Sequence, residues 1–199
     1  MSLKLYYSPR TRATRVAFLL EELGVPYERV ALDLGKGEHK TQEYLSIHPH
    51  GWVPALVDGD VVIHETAAIC LYLADRHIDR GLAPPPTSPE RGAYYQWVVY
   101  SVATLEPCIA DVFVQLQRAP EARDEAILAG GRERFAASAK VLAAALADRP
   151  FLLGEQLTVA DVLVGAMLVW AGALELLGEQ PVLAAYADRI RSRPAFGRA

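Results

Sequence analysis

The sequence is poor in cysteine. Its 199 residues include only Cys70 and Cys108, each inside an apolar segment that predicts a helix. We therefore expect two buried thiols rather than a disulfide framework or a redox pair. A reducing, cytoplasmic setting fits this usage.

The chain also lacks a strong charge bias. Its 24 acidic and 20 basic residues give a net charge of −4, which favours neither a nucleic-acid nor a membrane surface as partner. The five histidines lack metal-ligand spacing, so no metal site is predicted. No apolar run reaches the ~20 residues of a membrane span, and no signal peptide is expected at the N-terminus.

The first 76 residues alternate short apolar runs with amphipathic segments, which predicts a mixed α/β domain. The strand–helix–strand order at its start predicts two parallel strands. Asp58-Gly59-Asp60 between two apolar runs is typical of an antiparallel hairpin. The expected strands are 3–7, 27–32, 55–57 and 61–64, and the expected helices are 15–23, a short one near 41–46, and 66–75.

The composition changes at 77–90, where three consecutive prolines indicate a linker. Beyond it no segment has the pattern of a strand, so 91–199 is predicted to be all-helical. Thr158 and Asp161 have the spacing of a capping box, which we interpret as structural. The expected helices are 91–116, 122–147, 159–177 and 182–192.

The stretch from Gly51 to Ala74 contains the residues that we expect to bind a ligand. If the Val53–Pro54 bond is cis, the main-chain N–H and C=O of Val53 point outward and can pair with an extended peptide; a trans strand start is the alternative. Glu65 and Thr66 lie at a predicted helix N-terminus, where free N–H groups attract an anion and Glu65 attracts a cation. The pair suits the carboxylate and ammonium of an amino acid, unless Thr66 simply caps the helix.

This stretch, GWVPALVDGDVVIHETAAICLYLA, resembles the glutathione-binding motif of the cytosolic glutathione transferases. Three further segments resemble the family's opening strand, loop and helix, its capping box and its last helix: LYYSPRTRATRVAFLLEELGVPYE, FLLGEQLTVADVLVG and AAYADRIRSRPAF. The segment KGEHKTQEYLSIHPHGWVPALVDGDVVIHETAAICLYLADRH closely resembles theta-like and bacterial members. The resemblance implies a thioredoxin-like α/β domain at 1–76, a Pro-rich linker at 77–90 and an all-α domain at 91–199. It also implies a cytoplasmic homodimer that uses glutathione and a small hydrophobic electrophile, without a metal, in detoxification.

The resemblance implies a role for each matching residue of the glutathione site. The main chain of Val53, before a cis Pro54, binds the cysteinyl part, and Glu65 and Thr66 hold the γ-glutamyl end. Trp52 stands where the family usually has a basic residue for the glycyl carboxylate. The residues that could compensate are His39 and Lys40.

Four residues of the loop after the first strand compete for activation of the thiol. Thr11 matches the serine of theta-like members and ranks first, although it could instead cap the first helix. Tyr7 matches the tyrosine of other classes, and Ser8 and Arg12 follow. Aromatic residues of the helix at 91–116, including Tyr95 and Trp97, are expected at the electrophile, with core packing as the alternative.

The resemblance therefore implies a transferase that activates glutathione and conjugates it to an electrophile. Two alternatives stay open. One is another glutathione-dependent activity on the same scaffold: a peroxidase, reductase, isomerase or dehalogenase. The other is a non-catalytic binding module, because a fold alone does not fix a function.

Overall fold

The computed structural model describes residues 3–199 and divides them into two compact units. The first unit runs to Gly81 and also includes Pro194–Ala199, whereas the second comprises Leu82–Arg193. The C-terminal segment therefore belongs with the α/β unit rather than with the helices that precede it.

The first unit is built on a four-stranded sheet with the order β2-β1-β3-β4. β1 pairs parallel with β2 and antiparallel with β3, and β3 pairs antiparallel with β4. This mixed sheet confirms the predicted βαβ–ββα order and the thioredoxin-like α/β class. Its elements are β1 Leu3–Tyr7, α1 Ala13–Leu23, β2 Glu28–Ala31, a 3-10 turn Glu38–Lys40, α2 Gln42–Ile47, β3 Ala55–Asp58, β4 Val61–His64 and α3 Thr66–Arg76.

Helix α1 buries nearly one whole face against the sheet. Val16, Leu19 and Leu20 are fully buried, as their helical spacing predicts. The helix ends at Gly24, whose φ of 65° lets its N–H donate to the Leu20 carbonyl. On this unit Phe196 meets Phe18 edge to face, with ring centroids 5.3 Å apart.

The register of the hairpin positions the candidate site. Ala55 pairs with His64, the last residue of β4. Because the strands are antiparallel, the segment that enters β3 and the segment that leaves β4 lie side by side at one end of the hairpin. Val53-Pro54 and Glu65-Thr66 occupy these two segments.

The second unit is helical throughout its described elements. Helix α7 ends at Ala173, earlier than the predicted 177, because the Leu174 and Leu176 N–H groups turn back to the Ala171 carbonyl and Glu175 takes a φ of 58°. The elements are α4 Arg91–Tyr100, a π-helical segment Ser101–Leu105, α5 Glu106–Leu116, a 3-10 turn Pro120–Ala122, α6 Glu125–Leu146, α7 Val159–Ala173 and α8 Pro181–Arg191, while α9 Pro194–Arg198 belongs to the first unit.

The helix predicted over 91–116 is continuous but widens to a π-helix at Ser101–Leu105. Pro107 explains the widening, because it has no N–H to donate and its ring would clash with the carbonyl four residues earlier. The Cys108 thiol donates to the Leu105 carbonyl at 2.9 Å. Contrary to expectation, Arg91–Leu116 is long and apolar enough to cross a membrane; this is weak evidence, since a buried core helix passes the same test and 44% of that window is buried.

Candidate glutathione-binding site

The loop before β3 presents an open main chain. The Val53–Pro54 bond is cis, as predicted. The Tyr44 hydroxyl donates to the Trp52 carbonyl at 2.5 Å and fixes the approach to this bond. Within residues 3–199, Val53 makes no main-chain hydrogen bond. Its N–H and C=O are therefore available to an extended ligand, as an added strand would require.

The start of α3 lies next to this loop. Glu65 is exposed and takes a φ of 76°, which a residue with a side chain adopts only at a cost of about 1–3 kcal/mol. Its side chain makes no capping hydrogen bond to the helix. Thr66, by contrast, is buried. The first turn of α3 thus keeps donors for an anion, with one carboxylate beside them for a cation.

The structure places Thr11 at the cap of α1. Its hydroxyl donates to the Ser8 carbonyl at 2.6 Å and accepts from the Ala13 N–H at 3.2 Å. A hydroxyl has one proton, and here that proton is in use. Thr11 would have to break its bond to Ser8 before it could donate to a thiolate.

Tyr7 is also occupied. Its hydroxyl donates to the Ala199 carbonyl oxygen at 3.0 Å, and the Arg29 guanidinium lies 5.5 Å from its ring centroid. Ser8 differs, because it is buried and its hydroxyl has no hydrogen-bond partner among residues 3–199. Arg12 is exposed at the start of α1. The structure therefore favours Ser8 over Thr11 and Tyr7 as a hydroxyl with a proton to give.

The 3-10 turn packs directly on the loop before β3. A Cβ on Gly51 would lie 2.4 Å from the His39 carbonyl, so only glycine allows this approach. Lys40 Nζ donates to the His50 carbonyl at 2.8 Å. Trp52 is 59% exposed and stacks on His50 with ring centroids 4.9 Å apart. His39 and Lys40 thus adjoin the loop that carries Trp52 and Val53.

Sequence reasoning did not find the contribution of His48. This residue is 3% exposed, and its ring centroid lies 4.7 Å from that of His64. The spacing of the histidines gave no ligand pattern, so nothing in the sequence placed these two rings together. His48 follows α2 and His64 ends β4, so only the tertiary fold makes them neighbours.

The two aromatic candidates of the helical unit differ in exposure. Tyr95 is 45% exposed and borders a hollow of ≈400 Å³, and its hydroxyl accepts from Arg91 Nη1 at 3.0 Å. Trp97 is 7% exposed and packs edge to face on Tyr100, so its burial favours a packing role. The hollow is lined by Gly92, Tyr95, Gln96, Val99, Tyr100 and Thr104.

The cysteines are free and buried. Burial raises the pKa of the Cys70 thiol to about 12 and also raises the pKa of the Cys108 thiol. Neither sulfur is therefore a thiolate at neutral pH. Across residues 3–199, no three potential ligands among His, Cys, Asp and Glu converge on a metal position.

Comparison with known proteins identifies the family. Residues 1–75 match the model of the glutathione S-transferase N-terminal domain, and residues 121–194 match that of the C-terminal domain. The chain belongs to the glutathione S-transferase family, which is a family of enzymes. The two matches fall in both units and confirm the resemblance seen in the sequence.

Relatives of this transferase family align over nearly the whole chain. Glutathione S-transferase F9 of Arabidopsis thaliana is 31% identical over 98% of this chain and 95% of the relative. Disulfide-bond oxidoreductase YfcG of Escherichia coli is also 31% identical, over 98% of this chain and 93% of its own. A glutathione transferase family member from Pseudomonas fluorescens, solved with two glutathione bound, has a TM-score of 0.89 at 26% identity, covering 99% of this chain and 91% of that one.

Proposed function

We propose that this protein binds glutathione in the first unit, ionises its thiol and transfers it to a hydrophobic electrophile. One observation carries the proposal. The unpaired main chain of Val53 and the open N-terminus of α3 at Glu65 and Thr66 lie side by side. An extended γ-glutamyl peptide offers matching groups, namely a main-chain N–H and C=O together with an amino-acid end.

The glycyl end of glutathione is assigned to the adjoining turn. His39, Lys40 and Trp52 supply an imidazole, an ammonium and an indole N–H next to Val53. The Lys40 ammonium has three donors and uses one on the His50 carbonyl, so it can still meet a carboxylate. These contacts replace the single basic residue usual before the Val-Pro pair.

Thiol activation is assigned first to Ser8. A hydroxyl that donates to sulfur stabilises the thiolate, and the N-terminus of α1 adds a favourable dipole. The thiol proton leaves to solvent, and the thiolate attacks the electrophilic carbon. A C–S bond forms, and the electrons displaced from carbon depart with the leaving group or take up a proton.

The electrophile is assigned to the helical unit. Tyr95 offers an exposed aromatic surface at an apolar hollow, which suits a hydrophobic substrate. The homodimeric state and the cytoplasmic location stay predictions. Sedimentation of the purified protein tests the first of them.

Titration of the bound thiol tests the proposal. Thiolate absorbance of glutathione is followed against pH with the protein in excess, and S-methylglutathione serves as a blank without a thiol. A bound pKa well below the free value of ≈8.5 is expected. Binding without such a shift would contradict thiol activation, and absence of binding would refute the site itself.

A second candidate function is reduction of disulfides by glutathione. A relative of 31% identity is named a disulfide-bond oxidoreductase, and the loop after β1 contains no cysteine of its own. The bound thiolate would attack one sulfur of a disulfide, forming a mixed disulfide and releasing the other sulfur as a thiolate. Turnover with a small dialkyl disulfide, compared with an aromatic halide, separates the two activities.

A further inference from the structure

The rings of three histidines gather beside the candidate glutathione site. We use the term histidine cluster for His48, His50 and His64, with Trp52 at its edge. His48 lies at the centre, with its ring centroid 4.7 Å from His64 and 6.2 Å from both His50 and Trp52. None of these histidines has a role in the proposed reaction.

His48 connects the two halves of the site. Its N–H donates to the Tyr44 carbonyl at 2.9 Å, and its carbonyl accepts from the Gly51 N–H at 2.7 Å. These bonds hold the turn that leads to Val53. The His48 ring meanwhile packs against His64, the residue directly before Glu65. The main chain of His48 thus holds the turn before Val53, and its ring contacts the residue before Glu65, so this residue links the two segments of the site.

The surroundings of His48 favour the neutral ring. The side chain is 3% exposed, and its buried Nδ1 has no hydrogen-bond partner within residues 3–199. Burial is the main cause that lowers the pKa of His48, and repulsion from His64 and His50 adds to it. Glu65 is the charged group that opposes this shift, because its carboxylate attracts a proton to the ring, and the His48 main chain acts in the same direction to a smaller extent.

We propose that His48 is a positioning residue of the glutathione site and that protonation of its ring weakens glutathione binding as the pH falls. The proposal rests on the proposed function. A charged His48 repels His64 and separates the two segments that carry Val53 and Glu65. The ammonium of bound glutathione would also engage Glu65, the group that favours a proton on His48.

A proton on His48 and the ammonium group of glutathione therefore compete for the Glu65 carboxylate. By linkage, a ligand that disfavours protonated His48 must bind more weakly wherever that proton is present. The other groups around the ring do not reverse this sign. Burial raises the pKa of the Tyr44 phenol, so it stays neutral, and both His64 and His50 disfavour a positive charge on the His48 ring.

Calorimetric titration with S-methylglutathione tests the coupling without interference from an ionising thiol. Between about pH 7.5 and about pH 5, the Kd of the wild type should rise by roughly fivefold; the full tenfold that corresponds to a shift of about one pKa unit is reached only below both midpoints. His48→Asn should show a Kd that changes by less than about twofold over the same range. His77→Asn, outside the cluster, is the matched control and should keep the wild-type profile.

Each other outcome decides a different point. A flat wild-type profile would overturn the coupling. Tighter binding in acid would also overturn it. No binding at any pH would instead refute the proposed function.

A spectroscopic measurement on the wild type does not depend on the folding of a variant. The imidazole NMR signal of His48 is titrated with and without saturating S-methylglutathione. Its midpoint should fall when the ligand is bound, whereas a midpoint that stays or rises would contradict the proposal. A purely structural role would lower the thermal stability of His48→Asn and leave this midpoint unmoved by ligand.

Discussion

Two helices of this protein begin with similar residues and use them in opposite ways. At the start of α7, Asp161 is fully buried and accepts from the N–H groups of Leu152 and Thr158 and from the hydroxyls of Thr158 and Tyr186. At the start of α3, Glu65 is exposed, lies at positive φ and makes no capping bond. The first terminus is closed by the chain's own groups, and the second is left open.

The difference lies in what satisfies the helix donors. A helix N-terminus always presents N–H groups without intrahelical partners. Within α7, the chain supplies its own carboxylate at the third helical position and gains stability from it. At α3 the Glu65 side chain makes no hydrogen bond to the first turn, so the donors remain for a ligand. The positive φ of Glu65 carries a backbone cost of the kind that is typical of functional sites.

The largest effect is expected on the free energy of unfolding, when the carboxylate at the start of α7 is removed. Asp161→Ala leaves two buried N–H groups and two buried hydroxyls without their acceptor. The free energy of unfolding should fall by about 3 kcal/mol or more, since bonds to a charged acceptor contribute ≈1.5–3 kcal/mol each and do not add fully. Urea unfolding measures the loss.

Binding provides the complementary readout for this variant. At a temperature where Asp161→Ala is still folded, its Kd for glutathione should equal that of the wild type, because Asp161 belongs to the second unit. A weakened Kd in folded protein would contradict a purely structural role.

The next effect comes from removing the charge at the open terminus. Glu65→Ala should weaken glutathione binding by about 1–3 kcal/mol through loss of the partner of the ammonium group. The structure offers a matched control in Glu175, which is also exposed and also at positive φ, 58°. Glu175→Ala should leave the Kd unchanged. Equal affinities for both variants would remove Glu65 from the site.

The third prediction concerns the thiol. Ser8→Ala should raise the pKa of bound glutathione by about one unit, equivalent to ≈1.4 kcal/mol, while leaving its Kd at low pH nearly unchanged. Thr11→Ala and Tyr7→Phe should shift this pKa less, because both hydroxyls donate within the protein. The pH–rate profiles of the three variants give the order. A larger shift in Thr11→Ala would restore Thr11 to the role its position in the sequence suggests.

The sequence predicts the parts of this protein that depend on local pattern. The Asp58-Gly59-Asp60 hairpin and the spacing of Thr158 and Asp161 each reflect neighbouring residues, whereas the cis Val53–Pro54 bond is implied only by the resemblance to the family. The fold class follows from their order along the chain.

The remainder depends on contacts between distant residues. The sequence cannot show that the Tyr7 hydroxyl donates to Ala199, or that the fold brings the His64 ring to the His48 ring. The choice among catalytic hydroxyls changes for the same reason. Thr11, Tyr7 and Ser8 all carry a hydroxyl and are near in sequence, and their hydrogen-bond partners in the fold change the order in which they are ranked.

The smallest expected effect tests the comparison most directly. Glu65→Gly should have a higher free energy of unfolding than Glu65→Ala, by about 1 kcal/mol. Glycine accepts a φ of 76° without the cost that a side chain adds. The same substitution removes the carboxylate and should weaken glutathione binding as much as Glu65→Ala does. Parallel urea unfolding of both Glu65 variants isolates the backbone contribution, since neither retains the charge. If Glu65→Gly were less stable than Glu65→Ala, the positive φ would impose no cost, and the open terminus of α3 would not be held at the expense of local stability.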